Sequence, residues 1–195
     1  EARRDSDGLR VTFSFAVPTP AALFRRADTV WLVFDQSKPL DIEPIRAKGG
    51  EAIALTCRIS DKEQVENLVA RTREQWGAID ILVCNAAVNS DSPGLDDIDV
   101  SKLAYMFDVN ALGCVRVVLA LLPHLRPGAK IMLVAIGEQA LNGLVVPTHS
   151  LGNYGYRMSK AGLNMLGANL AHDLAPRGVH VVLLHPGFIR TEMTR

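Results

Sequence analysis

The sequence predicts an α/β fold, a doubly wound parallel sheet with helices on both sides in three αβα layers. Three observations carry this reading. Short runs rich in Val, Ile and Leu alternate with amphipathic stretches along the 195 residues. The runs are mostly continuous rather than alternating in polarity, the mark of strands buried on both faces. No linker, internal repeat or low-complexity tract divides the chain, so residues 1–195 read as a single domain.

The expected strands are LRVTFSF (9–15), TVWLVF (29–34), EAIALTC (51–57), DILVC (80–84), KIMLVAI (130–136) and VHVVLLH (179–185). A short helix is expected over 20–27. Ser60-Asp61-Lys62-Glu63 reads as a capping box, after which Val65, Leu68, Val69 and Trp76 share a helical face. The stretch 101–122 is long enough for two successive helices, with Pro123 near the end. From Tyr154 to Leu174 the spacing of Leu163, Leu166, Leu170 and Leu174 predicts a helix that Pro176-Arg177-Gly178 stops. Residues 88–97 and 137–153 read as loops that follow strands, and ligands of such sheets bind at the carboxyl ends of strands.

Composition narrows the function. With 21 basic and 21 acidic residues the formal charge is zero, which recommends neither nucleic acid nor an anionic membrane as a partner. No apolar run comes near the roughly 18 residues that span a bilayer, and the first residues lack a signal-peptide core. Cys57, Cys84 and Cys114 lie in apolar stretches and read as buried, reduced core residues, so a cytoplasmic location is expected. The five histidines show no metal-ligand spacing and there is no HExxH or CxxC, so no metal site is expected. His149 lies in the second loop and reads mainly as a solvated residue.

The string with most chemistry is YGYRMSKAGLNM (154–165). Tyr156 and Lys160 stand four apart on a helix and share a face. An ammonium beside a phenol favours the phenolate, and a phenol tuned that way exchanges a proton with a substrate oxygen near neutral pH.

Four strings, in order, resemble the short-chain dehydrogenase/reductase family, nearest in wording to small reductases of the C-factor type. They are DILVCNAA (80–87), FDVNALG (107–113), YRMSKAGLNM (156–165) and LLHPGFIRTEM (183–193). The resemblance runs from about Val30 to Arg195. It implies a Rossmann-type fold and an NAD(P)-dependent oxidoreductase of carbonyls and alcohols, acting on a small molecule as a homodimer or homotetramer. Tyr156 would be the general acid/base. Lys160 would lower its pKa and hold the nicotinamide ribose, and Asn110 would hold a water in a proton relay. Asn85 and Ala86 would lie beside the adenosine; Pro186, Gly187 and Thr191 would meet the nicotinamide. Asp35, at the end of the second strand, would bind the adenosine ribose and favour NAD over NADP. The helices after Asn110 and around Tyr156 would pair across a two-fold axis, with Ala161, Gly162, Gly167 and Ala168 permitting close approach.

The chain departs from the family pattern at defined places. The glycine-rich first turn is replaced by TFSFAVPTPAAL (12–23), which has no glycine. Arg58 stands where the family has an Asp, and VAIGEQAL (134–141) lacks the serine expected after the fifth strand; Thr148 and Ser150 lie later. The family's segment beyond the last motif is not contained in residues 1–195. Dinucleotide affinity is therefore expected to be weak, with Phe13 or Phe15 filling the phosphate space. Two alternatives to hydride transfer stay open: a non-redox enzyme using Tyr156 and Lys160, such as an isomerase, dehydratase or cyclase, and a catalytically silent binding protein.

Overall fold

The computed structural model describes residues 2–5, 8–11, 21–26, 29–34, 42–47, 49, 51–89, 94–135 and 153–185. The strands are β1 (Ala2–Asp5), β2 (Gly8–Val11), β3 (Ala21–Arg26), β4 (Thr29–Phe34), β5 (Ala54–Thr56), β6 (Ile79–Cys84), β7 (Leu125–Val134) and β8 (His180–Leu184). The helices are α1 (Glu43–Arg46), α2 (Lys62–Trp76), α3 (Val100–Phe107), α4 (Gly113–Leu121) and α5 (Tyr154–Leu174). Six strands form one sheet in the order β5-β4-β3-β6-β7-β8, while β1 and β2 pair only with each other.

The α/β class holds, and β4 to β8 all run the same way. Pairing is parallel for β4 with β5, β6 with β7, and β7 with β8. Two expectations fail at the start of the chain. The described part of the run 9–15 lies outside the main sheet: Gly8–Val11 forms an antiparallel hairpin with Ala2–Asp5. The expected helix over 20–27 is instead strand β3, antiparallel to both β4 and β6 at the centre of the sheet. AALFRR is too short for helical periodicity to decide the matter, and the open edges of β4 and β6 supply ladder partners that an isolated helix turn lacks.

Local signals explain the other boundaries. The cap of α2 sits one residue later than expected. Asp61 accepts from Gln64 N–H at 3.2 Å, the Gln64 amide reaches back to Asp61 Oδ2 at 2.8 Å, and Gln64 Oε1 accepts from Arg58 N–H at 2.8 Å. Asp99 caps α3 by accepting from Ser101 N–H and Oγ at 2.9 and 2.5 Å. Pro123 opens a single 3₁₀ turn after α4, having no N–H to continue the helix. Gly178, at φ 67°, ends the turn after α5 in the left-handed conformation.

The long helices lie side by side, α2 against α4, and α3 against α5, which also packs on β7 and β8. Their core joins Val65 and Leu68 of α2 and Val117 and Leu121 of α4 to Leu82 of β6, Ile131 and Leu133 of β7 and Leu163 of α5, all buried. The expectation of no apolar run near bilayer length fails: Val100–His124, with mean hydropathy 1.6, is long and apolar enough to cross a membrane by length and composition. Half of it is buried within this fold, as a central core helix requires.

Close approach of α3 and α5 depends on Gly155. A Cβ there would overlap the Met106 methyl and stand 3.2 Å from Leu103 Cα. Gly155→Ala should destabilise the chain by roughly 1–3 kcal/mol, the usual cost of overpacking. Urea denaturation checks this, and an unchanged midpoint would show that the helices have slack.

Candidate active site

The carboxyl edge of β6 and β7, the middle of the α3–α4 run and the first turns of α5 meet at one place. Between α3 and α4, residues Asp108–Leu112 form one π turn, closed by Gly113 N–H on Asp108 C=O. Such single turns are uncommon and cluster at functional sites. Here the turn is held from both sides. Arg116 reaches back to Asp108 Oδ1 at 2.6 Å and to its carbonyl at 3.3 Å. Gly113 leaves room for Ile59, whose Cδ1 would lie 2.7 Å from any added Cβ.

The π turn aims Asn110 inward, fully buried. Asn110 Oδ1 accepts from Val88 N–H at 2.7 Å, and its Nδ2 donates to Val88 C=O and to Ser159 Oγ, each at 2.9 Å. Val88 presents one donor and one acceptor, which settles which end of the amide is which. Ser159 Oγ in turn donates to Tyr156 C=O at 2.7 Å. The side chain of Asn110 is thus a clamp joining the segment after β6 to α5. The expected water-holding role finds no spare donor on this amide, since both of its N–H groups are committed to protein.

Tyr156 and Lys160 share the face of α5 that looks onto this clamp. Tyr156 is half-buried, whereas Lys160 is only 2% exposed. Lys160 Nζ donates to Val134 C=O at 2.7 Å and lies 5.8 Å from the centre of the Tyr156 ring. Burial pushes the Lys160 ammonium below its usual value, partly opposed by the Cys114 and Cys84 thiols nearby. Burial also pushes the Tyr156 phenol above its usual value. That reverses the expected lowering by Lys160. The cation faces a backbone carbonyl under the ring, and loss of water outweighs what it offers the phenolate.

Asn85 is exposed just past β6 and Ala86 is buried beside it. Asp35, Pro186, Gly187 and Thr191 lie outside the described residues, as do Phe13, Phe15, Thr148, His149 and Ser150. Two participants carried no assigned role in the sequence reading. Ser159 was visible only as the neighbour of Lys160, with its partner 49 residues away. Asn89 Oδ1 is buried with no hydrogen-bond partner among the described residues, next to clamped Val88. An acceptor left so is available to a bound molecule.

Comparison with known proteins gives this geometry a lineage. The family described as Enoyl-(Acyl carrier protein) reductase matches residues 19–195. The chain belongs to the short-chain dehydrogenase/reductase family. It is 44% identical over 117 residues to C-signal of Myxococcus xanthus, covering 60% of this chain and 69% of that protein. To 1-hydroxy-2-glutathionyl-2-methyl-3-butene dehydrogenase of a Rhodococcus species it is 37% identical, over 70% of this chain and 58% of the relative. A short-chain dehydrogenase from Burkholderia cenocepacia, solved in complex with NADP, superposes with a TM-score of 0.69 at 32% identity, over 78% of this chain and 59% of that one. The chain thus spans under two thirds of the length of the latter two.

The buried ammonium has a measurable signature. A group whose folded pKa is depressed contributes stability that is fully present above its unfolded value and is lost as pH falls through the folded one. For Lys160 the unfolded reference is 10.5. Lys160→Met should therefore be more stable than the parent near neutral pH, and its advantage should shrink as pH rises towards that value. Denaturant midpoints of both proteins across this range test it; a constant difference would mean that Lys160 is not charged and desolvated at neutral pH.

Proposed function

We propose that this chain is a short-chain oxidoreductase that interconverts a carbonyl and an alcohol on a small molecule, with Tyr156 as general acid/base. The observation that carries this is the meeting of a half-buried Tyr156, a buried Lys160 beneath its ring and the Asn110 clamp at the carboxyl edge of the sheet. A phenol held protonated by its surroundings arrives at a carbonyl as an acid. Its Oη–H donates to the carbonyl oxygen, and the proton passes to that oxygen as negative charge develops there. Ser159 and Asn110 position the backbone of Tyr156, and Lys160 keeps positive charge near the phenolate left behind. Two of the proteins named above, dehydrogenases in their own names, support the class of reaction.

A nicotinamide dinucleotide, when bound, would supply the hydride. The described residues fit one end of it. Of the three donors of the Lys160 ammonium, one is taken by a hydrogen bond among the described residues, to Val134 C=O. The others suit ribose hydroxyls, and the orphaned Asn89 Oδ1 suits a carboxamide N–H or a substrate donor. Asn85, Ala86, Pro186, Gly187 and Thr191 complete the proposed contacts, and Asp35 supports NAD over NADP. The pyrophosphate end is a different matter, taken up below.

The same proposal includes a homodimer and a cytoplasmic location, which three buried free thiols suit. Two glycines expected at the two-fold contact are used within the chain instead. Gly162 faces Phe107 and Ala111, and Gly167 faces Leu183 and Leu133. What α5 leaves outward is a stripe of Met158, Ala161, Met165 and Ala168, and the α3–α4 run leaves Tyr105, Leu112 and Leu119. Met165 is 63% exposed and Leu119 60%, unusual for large apolar residues on neighbouring helices.

Tyr156→Phe should lower turnover about 10²–10⁴-fold on any aldehyde or ketone the parent reduces. The assay follows consumption of reduced nicotinamide, with circular dichroism to show an intact fold; equal turnover would remove Tyr156 from the mechanism. Light scattering should find a dimer that Met165→Glu converts to monomer. A parent that is monomeric at every concentration would end the assembly proposal.

A further inference from the structure

The direction of β3 bears on how the far half of a dinucleotide is met. In doubly wound sheets the pyrophosphate sits where a central strand reaches the carboxyl edge, turns through glycine and enters a helix whose N–H groups receive the charge. Here the strand between β4 and β6 runs the other way. Ala21 pairs with Phe34 and Ala22 with Cys84, so β3 begins at the carboxyl edge. Arg26 pairs with Thr29, so it ends at the amino edge, with two residues connecting it to β4. No helix fits in that connection, and the sequence has no glycine between Gly8 and Gly49.

Other helix starts among the described residues do not replace the seat. Asp61 and Asp99 already occupy N–H groups at the starts of α2 and α3, and α1 opens on Glu43, so all three repel a phosphate. α5 starts two residues before Tyr156, at the reacting end.

We infer that the described residues provide no pyrophosphate seat, and that the adenylate half of a nicotinamide dinucleotide, left with the proposed Asp35, Asn85 and Ala86 contacts, strengthens binding by no more than about 10-fold. The inference rests on the nicotinamide reading above for the half that does bind. A reduced nicotinamide mononucleotide then serves the site nearly as well as NADH or NADPH does. A seat supplying two or three charge-assisted hydrogen bonds would make the dinucleotides tighter by about 10²-fold or more.

Calorimetry on the whole chain with reduced nicotinamide mononucleotide, NADH and NADPH at one salt concentration decides this without any assay of turnover. Dissociation constants within about 10-fold of each other are expected. A dinucleotide bound more than about 10-fold tighter than the mononucleotide overturns the inference, because the pyrophosphate then has a seat. If none of the three binds, the missing seat stands and the nicotinamide reading of the Tyr156 site falls, so the two ideas fail separately.

Discussion

A buried carboxamide with nowhere to go but three protein partners holds this site together. Asn110 is fully enclosed, so each of its bonds to Val88 and Ser159 costs about 1–3 kcal/mol to leave unmade. The π turn that aims it inward is itself an irregular backbone, tolerated because Arg116 and Asp108 brace one side and the amide anchors the other. The clamp fixes the segment leaving β6 against α5. The rotation of α5 then decides where Tyr156 and Lys160 point, and Gly155 decides how near α5 comes to α3. Sheet edge, irregular turn and α5 are therefore one mechanical unit.

The electrostatics of the site follow from its dryness. Lys160 is a cation held under an aromatic ring, with a backbone carbonyl and two thiols for company. Neutral acceptors do not repay the loss of hydration, so the ammonium is a burden on the fold near neutral pH. The same dryness keeps the Tyr156 phenol protonated. Perturbed groups facing each other at the carboxyl edge of a sheet are the usual sign of chemistry rather than of structural economy.

Fold and function part company at β3. An antiparallel strand completes the sheet as well as a parallel one, since the ladders on both sides are satisfied. The proposed proton-transfer end of the site, built from β6, β7, α3–α4 and α5, is untouched by that substitution. The anion end depends on strand direction, because only a strand arriving at the carboxyl edge can deliver a turn and a helix N-terminus there. Family membership thus carries the Tyr156 site more securely than the phosphate site.

Sequence by itself determined the α/β class, the strands at 29–34 and 80–84, the α5 helix and the pairing of Tyr156 with Lys160. These rest on apolar runs and on 3.6-residue spacing, properties of contiguous residues. It also placed the site at the carboxyl edge. The tertiary structure alone decided four things. AALFRR became a central antiparallel strand because two separate strands offered it hydrogen bonds. Gly162 and Gly167 acquired neighbours within the chain, Phe107 beside the first and Leu183 beside the second. Ser159 acquired a role through a partner 49 residues away. The phenol moved up rather than down because burial, unlike a four-residue spacing, is set by every segment that packs around it. Periodicity is local and is written in the chain, whereas strand direction, desolvation and the pairing of buried polar groups arise only when distant segments meet.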